Sequence, residues 1–169
     1  EVSARQVRSL DQAGPEAKSR FVSALTTAGC SVAVWPCELD WSASADERRA
    51  VLRSALKGAQ GLAPRYLKLS PWLARDGEME AVLPRAVAAL ADLAHAAADH
   101  NVVLLIENHQ DFTSRELVGL CEEYGPHVRI VFDMANTFPV AESPLDFTRV
   151  IAPYVRHCHV KDYRVHFEP

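Results

Sequence analysis

Three side chains of the kind that bind divalent metals occur at an equal interval in the second half of the chain. Glu107, Asp133 and His159 lie 26 positions apart, from 107 to 133 and from 133 to 159. Each stands at or near the end of a short apolar stretch, so one strand and one helix fit into each interval. Two carboxylates and an imidazole that converge on one point are a natural ligand set for a divalent cation. The spacing therefore predicts a metal site built from these three residues.

Each of the three residues also has an ordinary structural explanation when it is taken alone. Glu107 could cap a helix or line a loop. Asp133 could form a turn or an N-cap, and His159 could be a buried histidine with a satisfied hydrogen bond. The equal spacing and the compatible chemistry favour the joint interpretation over three unrelated placements.

Other polar residues accompany the predicted ligands, among them His109, Asn136 and Lys161. Lys161 has the same strand parity as His159, which would aim its ammonium at the mouth of the site, where it would suit an anionic or hydroxylated substrate. Alternatively, Lys161 pairs with Asp162 or faces solvent. His157 shares this parity one layer deeper, and we expect a hydrogen-bonded core histidine there rather than a ligand.

The elements that would position these residues alternate along the chain. Strands are predicted at residues 31–35, 65–69, 102–106, 128–132 and 155–160. Helices are predicted between them: one from Pro15 to Gly29, one with Ser44 and Glu47 as a capping box, an alanine-rich one through 82–97, one capped by Thr113 or Ser114, and one over 144–155. Such alternation predicts an α/β fold with a parallel sheet in a single domain. The carboxyl ends of its strands would form a common ligand-binding face.

Composition and charge exclude several classes of protein. Of the 169 residues, 49% are hydrophobic and 24% are charged, as in an ordinary globular domain. No apolar run approaches the roughly 18 residues of a membrane span. The net charge is −4 and the 18 basic residues are dispersed, whereas a nucleic-acid partner usually needs a clustered basic face. We therefore expect neither a membrane nor a nucleic acid as partner.

The four cysteines have no close partner in the sequence. Cys30, Cys37, Cys121 and Cys158 lack the short spacing of a zinc knuckle, and a chain of this length can bury a core without disulfides. We expect four buried or half-buried thiols in a reducing compartment. The first residues also lack the apolar core of a signal peptide, so we expect a cytoplasmic protein.

Three short motifs resemble the strand-end motifs of the xylose isomerase-like TIM barrels. They are Leu-Ile-Glu-Asn-His at 105–109, Phe-Asp-Met-Ala-Asn at 132–136 and His-Cys-His-Val-Lys-Asp at 157–162. The resemblance implies a (β/α)8 TIM barrel, of which residues 1–169 would form a single partial domain with about strands 3 to 7. Glu107, Asp133 and His159 would be metal ligands on the fifth, sixth and seventh strands. We expect the second strand to end at Glu1 and Val2, and the fourth ligand of the family, a glutamate on strand eight, to fall near position 185.

The resemblance also implies an activity. It points to a divalent-metal-dependent isomerase or epimerase of a sugar or sugar-like hydroxycarbonyl compound, which transfers a proton through a metal-stabilised enediolate. Glu107 would serve as ligand and base, and His109, Asn136 and Lys161 would hold the substrate or orient the ligands. Carboxylate-rich ligation favours Mn²⁺ or Mg²⁺, with Zn²⁺ or Co²⁺ as alternatives because of the imidazole.

Two alternatives to this activity stay open. A metal-dependent dehydratase could use the same scaffold, and a degenerate barrel could bind a polyol without chemistry. The DNA-repair nucleases of the superfamily fit less well, because this chain is acidic and its arginines are dispersed. The substrate itself and the oligomeric state are not predicted.

Overall fold

Five parallel strands form one sheet whose strand order follows the sequence. The computed structural model describes residues 1–69 and 79–161. The strands are β1 (Val34–Cys37), β2 (Tyr66–Leu69), β3 (Val103–Glu107), β4 (Val128–Asp133) and β5 (Val155–His159), each paired in parallel with the next. The described helices are α1 (Ala4–Ala13), α2 (Pro15–Thr27), α3 (Ala45–Gly58), α4 (Met79–Ala98), α5 (Ser114–Glu123) and α6 (Pro144–Ile151). This half-barrel confirms the predicted α/β class and the partial (β/α)8 barrel.

The sheet carries apolar side chains on both of its faces. One face packs against the helices through residues such as Leu67, Leu104 and Ile130, each fully buried. The opposite face, which we call the inner face, carries Val34, Leu105 and Val131 with Tyr66 and Val103 against them. A strand that is covered on both sides needs a continuous apolar run, which explains the sequence of β3.

Side-chain caps fix where several helices begin. Ser44 caps α3 in a capping box with Glu47, as predicted. At α5 the predicted choice between two caps falls on Thr113, which forms a capping box with Glu116. Such caps satisfy backbone N–H groups that have no partner inside the helix.

The first strand begins and ends later than predicted. It spans Val34–Cys37 and contains Pro36, which the prediction of 31–35 placed just beyond the strand. The carbonyl of Ala33 accepts from Tyr66 of β2, whereas that of Val34 accepts from Val2 on the other side. By alternation, the backbone of Pro36 also faces away from β2, so its missing N–H removes no bond between β1 and β2.

The cysteines divide into two classes. All four are free; Cys37 and Cys121 are buried, whereas Cys30 and Cys158 are exposed. The expectation of four buried or half-buried thiols is therefore wrong for the second pair. Cys30 lies just after α2, and Cys158 lies on β5 between two inward-facing histidines.

Among the described residues no helix is long and apolar enough to cross a membrane.

Candidate metal centre

The three predicted ligands are the last residues of three consecutive strands. Glu107 ends β3, Asp133 ends β4 and His159 ends β5. In the strand register Asp133 pairs with His159. Glu107 pairs with Val131, so it lies two residues nearer the amino ends of the strands. This offset is the stagger between neighbouring strands of a barrel. The structure brings all three to one point, although they are not all at one register level.

A bulge in β5 turns its histidines toward this point. Val155 pairs with Ile130 and His157 pairs with Val131, which leaves Arg156 as an extra residue. Val155 packs against the helix-side core, and strict alternation would put His157 on the same face. The extra residue reverses the parity, so His157 and His159 lie on the inner face beside Val131 and Asp133.

The donor atoms of the three residues lie close together. His159 Nδ1 is 3.0 Å from Glu107 Oε1 and 3.7 Å from Asp133 Oδ2. One ligand atom from each residue lies within 4.8 Å of the others. Ligands of a single ion, each about 2.0–2.2 Å from it, are separated by comparable distances. Two carboxylate oxygens and one imidazole nitrogen also match the chemistry of a divalent cation site.

A cation at this point would stabilise the buried carboxylates of the site. Asp133 is 0% exposed and Glu107 is 7% exposed. Asp133 Oδ1 accepts a hydrogen bond from the N–H of Ala135 at 3.1 Å. Among the described residues Oδ2 accepts no hydrogen bond of regular geometry, but it faces the Lys161 ammonium in an ion pair and, at 3.7 Å, His159 Nδ1. A buried carboxylate oxygen needs a positive or hydrogen-bonding partner. The Lys161 ammonium supplies that positive charge in this structure, so Oδ2 lies at a point that favours a cation.

Asn108 locks the ends of β3 and β4 together. Its side-chain Nδ2 donates to the carbonyl of Asp133 at 2.9 Å, and its Oδ1 accepts from the N–H of Asp133 at 2.6 Å. The residue is 1% exposed. The amide side chain thus extends the sheet by one pair of hydrogen bonds, which fixes the backbone that carries the Asp133 carboxylate.

The predicted substrate-side residues lie around the three ligands. The Lys161 ammonium forms an ion pair with Asp133 Oδ2, so this side chain points to the site, as one of the two alternatives predicted. Asn136 follows β4 in a short 3₁₀ turn, and its buried Nδ2 has no hydrogen-bond partner among the described residues. His109 is half-buried, and its backbone N–H donates to the carbonyl of Glu107 at 2.9 Å. Asp162, the last residue of the third motif, lies outside the described residues.

Two charged residues of the site were missed by the sequence analysis. Lys68 on β2 forms ion pairs with Glu1 and, at 3.5 Å, with Glu107 Oε2. Its alternation with the buried Leu67 and Leu69 was a usable signal for an inward lysine. Glu1 offered no such pattern, because a single residue has no periodicity.

Glu1 is surrounded by groups that carry or share protons. Its Oε2 is 2.8 Å from His157 Nε2 and 2.7 Å from His159 Nε2. Partial burial raises the pKa of this carboxyl, but hydrogen bonds from Lys68 and His159 outweigh the burial and lower the pKa to about 2. His157 thus has a hydrogen-bonding partner, as expected, and it also belongs with Glu1 and His159 to a second group of possible ligands.

Comparison with known proteins agrees with this architecture. The family model described as the xylose isomerase-like TIM barrel matches residues 3–169. YihM, an uncharacterized protein of Escherichia coli (strain K12), is 29% identical over 128 residues, which are 75% of this chain and 36% of that protein. The chain therefore spans about a third of the length of this curated relative.

Two solved structures illustrate the likeness in fold. The probable 3-DHS dehydratase AsbF from Bacillus anthracis superposes with a TM-score of 0.73 at 17% identity, over 92% of this chain and 59% of that one. A D-psicose 3-epimerase, solved in the presence of D-fructose, superposes with a TM-score of 0.67 at 19% identity, over 83% of this chain and 55% of that one. At these identities the likeness establishes the fold, and the reaction must be argued from the site.

Proposed function

Because this chain belongs to the xylose isomerase-like TIM barrel family, we propose that it is a divalent-metal-dependent isomerase or epimerase of a sugar or sugar-like hydroxycarbonyl compound. The observation that carries the proposal is the convergence of Glu107, Asp133 and His159 at the carboxyl ends of three parallel strands. This is the face on which barrels of this type hold their active sites.

The three residues are proposed to hold the cation. Their donor atoms are a Glu107 carboxylate oxygen, the buried Asp133 Oδ2 and the His159 Nδ1. This set is suited to Mn²⁺ or Mg²⁺, with Zn²⁺ or Co²⁺ as alternatives. When bound, such a cation supplies a Lewis acid that polarises the carbonyl oxygen of a substrate and acidifies the neighbouring C–H bond.

Glu107 is proposed to be the base that moves the proton. It lies on the inner face with its carboxylate between His159 and Lys68, so it would meet a substrate carbon that approaches from the mouth of the site. The nearby Lys68 ammonium would stabilise negative charge that develops on the substrate oxygen.

Three further residues are proposed to hold the substrate. The Lys161 side chain is 52% exposed and reaches Asp133 from the mouth of the site, so its ammonium could instead bind a carbonyl, a hydroxyl or an anionic group. The Nδ2 of Asn136, which has no hydrogen-bond partner in the part of the chain that the structure describes, would donate a hydrogen bond to a substrate hydroxyl. His109 follows Glu107 by two positions, and its imidazole would also contact the substrate.

A proton-exchange experiment tests the reaction class. The intact protein is loaded with Mn²⁺ and incubated with ketoses, aldoses and keto-glycosides in D₂O. NMR should then reveal deuterium at the carbon next to the carbonyl and the appearance of an epimer or isomer, neither of which should occur with Glu107→Gln. Loss of water without an epimer would identify the dehydratase alternative. Binding without any exchange would identify the polyol-binding alternative.

The proposed partner is a small sugar-like molecule, with neither a nucleic acid nor a membrane involved. We further propose a cytoplasmic location, since all four cysteines of the chain are free thiols, which is usual in a reducing compartment. Detection of the protein in an extracellular fraction would contradict this location.

A further inference from the structure

We propose that Glu1 is a positioning residue for His159: its carboxylate accepts a hydrogen bond from Nε2–H and so turns the lone pair of Nδ1 toward Glu107 and Asp133. This inference rests on the proposed function, since it concerns the metal site described above. It adds a residue from outside the described strands to that site and assigns Glu1 a role outside the predicted ligand set.

The two nitrogens of His159 face carboxylates on opposite sides. Nε2 is 2.7 Å from Glu1 Oε2, whereas Nδ1 is 3.0 Å from Glu107 Oε1. A neutral imidazole has one N–H donor and one acceptor nitrogen, and a carboxylate can only accept. With a cation among Glu107, Asp133 and Nδ1, the ring must give its lone pair on that side. The proton then belongs on Nε2, where the Glu1 carboxylate accepts it.

This arrangement is the usual second layer of a histidine metal ligand. A histidine that binds a metal commonly donates its other N–H to a carboxylate, which fixes the tautomer and the orientation of the ring. Loss of the outer carboxylate typically weakens metal binding about 10- to 100-fold. Glu1 has the geometry and the charge for this part.

The surrounding residues hold the Glu1 carboxylate in place. The following residue, Val2, is 6% exposed and donates its N–H to the carbonyl of Val34 at 3.1 Å, which anchors the backbone beside β1. Lys68 binds Oε1, while His157 Nε2 lies 2.8 Å from Oε2. The carboxylate is thus oriented from both of its oxygens and is not a freely rotating surface group.

The same atoms suggest one competing arrangement. Glu1, His157 and His159 also have ligand atoms within 4.8 Å of one another, so a second cation could bind there. His159 would then have to bind metals through both of its nitrogens, which requires an imidazolate. Glu1 as a hydrogen-bond acceptor needs no such ionisation, and we therefore favour it.

Zn²⁺ is diamagnetic, so this one probe allows both the tautomer of the His159 ring and the metal affinity to be measured. We would compare the intact wild-type protein with Glu1→Ala and Glu1→Gln, with Glu38→Gln as a matched control at an exposed glutamate that pairs with Arg8. Long-range ¹H–¹⁵N spectra report which ring nitrogen of His159 carries the proton. Competition with a chelator gives the dissociation constant, and circular dichroism checks the fold.

In the wild type we expect a protonated Nε2 and a Zn²⁺-bound Nδ1. Glu1→Ala should raise the dissociation constant about 10- to 100-fold and remove the low-field Nε2–H signal. Glu1→Gln should retain part of the affinity, because its amide oxygen can still accept. Glu38→Gln should match the wild type.

Unchanged affinity and unchanged His159 signals in folded Glu1→Ala would overturn this inference alone. A second Zn²⁺ equivalent that disappears with His157→Gln would overturn it in favour of a second metal. Zn²⁺ binding without turnover of any sugar would overturn only the proposed function, and no binding by the wild type would overturn both.

Discussion

At the scale of single residues, the site is a cluster of opposite charges gathered on the inner face of the sheet. Glu107 and Asp133 are buried, and Lys68, Lys161 and His159 lie against them. A buried charge that loses its partner is strongly destabilising. Substitutions at the site must therefore be chosen to separate loss of chemistry from loss of structure.

Glu107→Gln should abolish catalysis while it preserves the fold. Glutamine has the same shape but cannot accept a proton, and Lys68 keeps Glu1 as its partner. We expect turnover to fall by about 10²- to 10⁴-fold, the usual contribution of a general base, with little change in melting temperature. The exposed Glu123→Gln on α5 is the matched control. Normal turnover by Glu107→Gln would reject Glu107 as the base.

Asn108→Ala should weaken both the fold and the site. The change removes two buried hydrogen bonds to the backbone of Asp133. Buried groups left without partners cost about 1–3 kcal/mol, so we expect about 2 kcal/mol less free energy of unfolding in urea, with weaker Mn²⁺ binding. The exposed neighbour Gln110→Ala should change neither quantity. Equal free energies of unfolding and equal Mn²⁺ affinities for Asn108→Ala and Gln110→Ala would show that the Asn108 side chain does not support the site.

At the scale of elements, the sequence predicted all five described strands and five of the six described helices, but it missed α1 and several element ends. The apolar run of β3 and the capping box at Ser44 were readable because burial on both faces and N-capping leave local patterns. Pro36 misled the prediction, since only hydrogen bonding to the neighbouring strand decides whether a proline fits.

The bulge at Arg156 could not be predicted from alternation. Nothing in the residue types of β5 marks an extra residue, yet the bulge decides which face His157 and His159 occupy. The ligand trio was still predictable, because its members stand at strand ends with suitable chemistry. Lys68 was missed although its alternation with the buried Leu67 and Leu69 was a usable signal, whereas Glu1 was missed because a single residue at the start of the chain gives no periodicity.

Thr113→Ala should destabilise α5 without disturbing the metal centre. The Thr113 hydroxyl accepts a hydrogen bond from the N–H of Glu116, and loss of such a cap costs about 1 kcal/mol. Urea denaturation should show this loss, while Mn²⁺ affinity should be unchanged. Ser23→Ala on the exposed side of α2 should leave stability nearly unaltered. A large effect on Mn²⁺ binding would mean that α5 is coupled to the site.

At the scale of the whole molecule, one apolar core supports the site from behind. The helix-side core joins residues from β1 to β4 with α3, α4, α5 and α6. The inner face carries a smaller apolar cluster below the charged residues. The site thus rests on a packed sheet, which keeps strand ends in fixed positions while the loops beyond them vary.

This packing predicts very different reactivities for two cysteines. Cys37 is 1% exposed, and burial raises the pKa of its thiol to about 12. Cys30 is exposed, and the reactive form is the thiolate. In native protein at pH 8, iodoacetamide should therefore modify Cys30 rapidly, whereas Cys37 should react only on unfolding, as followed by peptide mass spectrometry. Equal rates for the two would contradict the burial of β1.

Mn²⁺ binding tests the central claim most directly. The intact protein is first freed of metal with a chelator and then titrated with Mn²⁺. Electron paramagnetic resonance measures the free Mn²⁺ that remains, and the difference from the total gives the number of ions bound. We expect about one Mn²⁺ per wild-type chain, loss of this site in Asp133→Ala, and its retention in the exposed control Asp99→Ala. Equal binding by the wild type and Asp133→Ala, or no binding by the wild type, would contradict a metal centre formed by Glu107, Asp133 and His159.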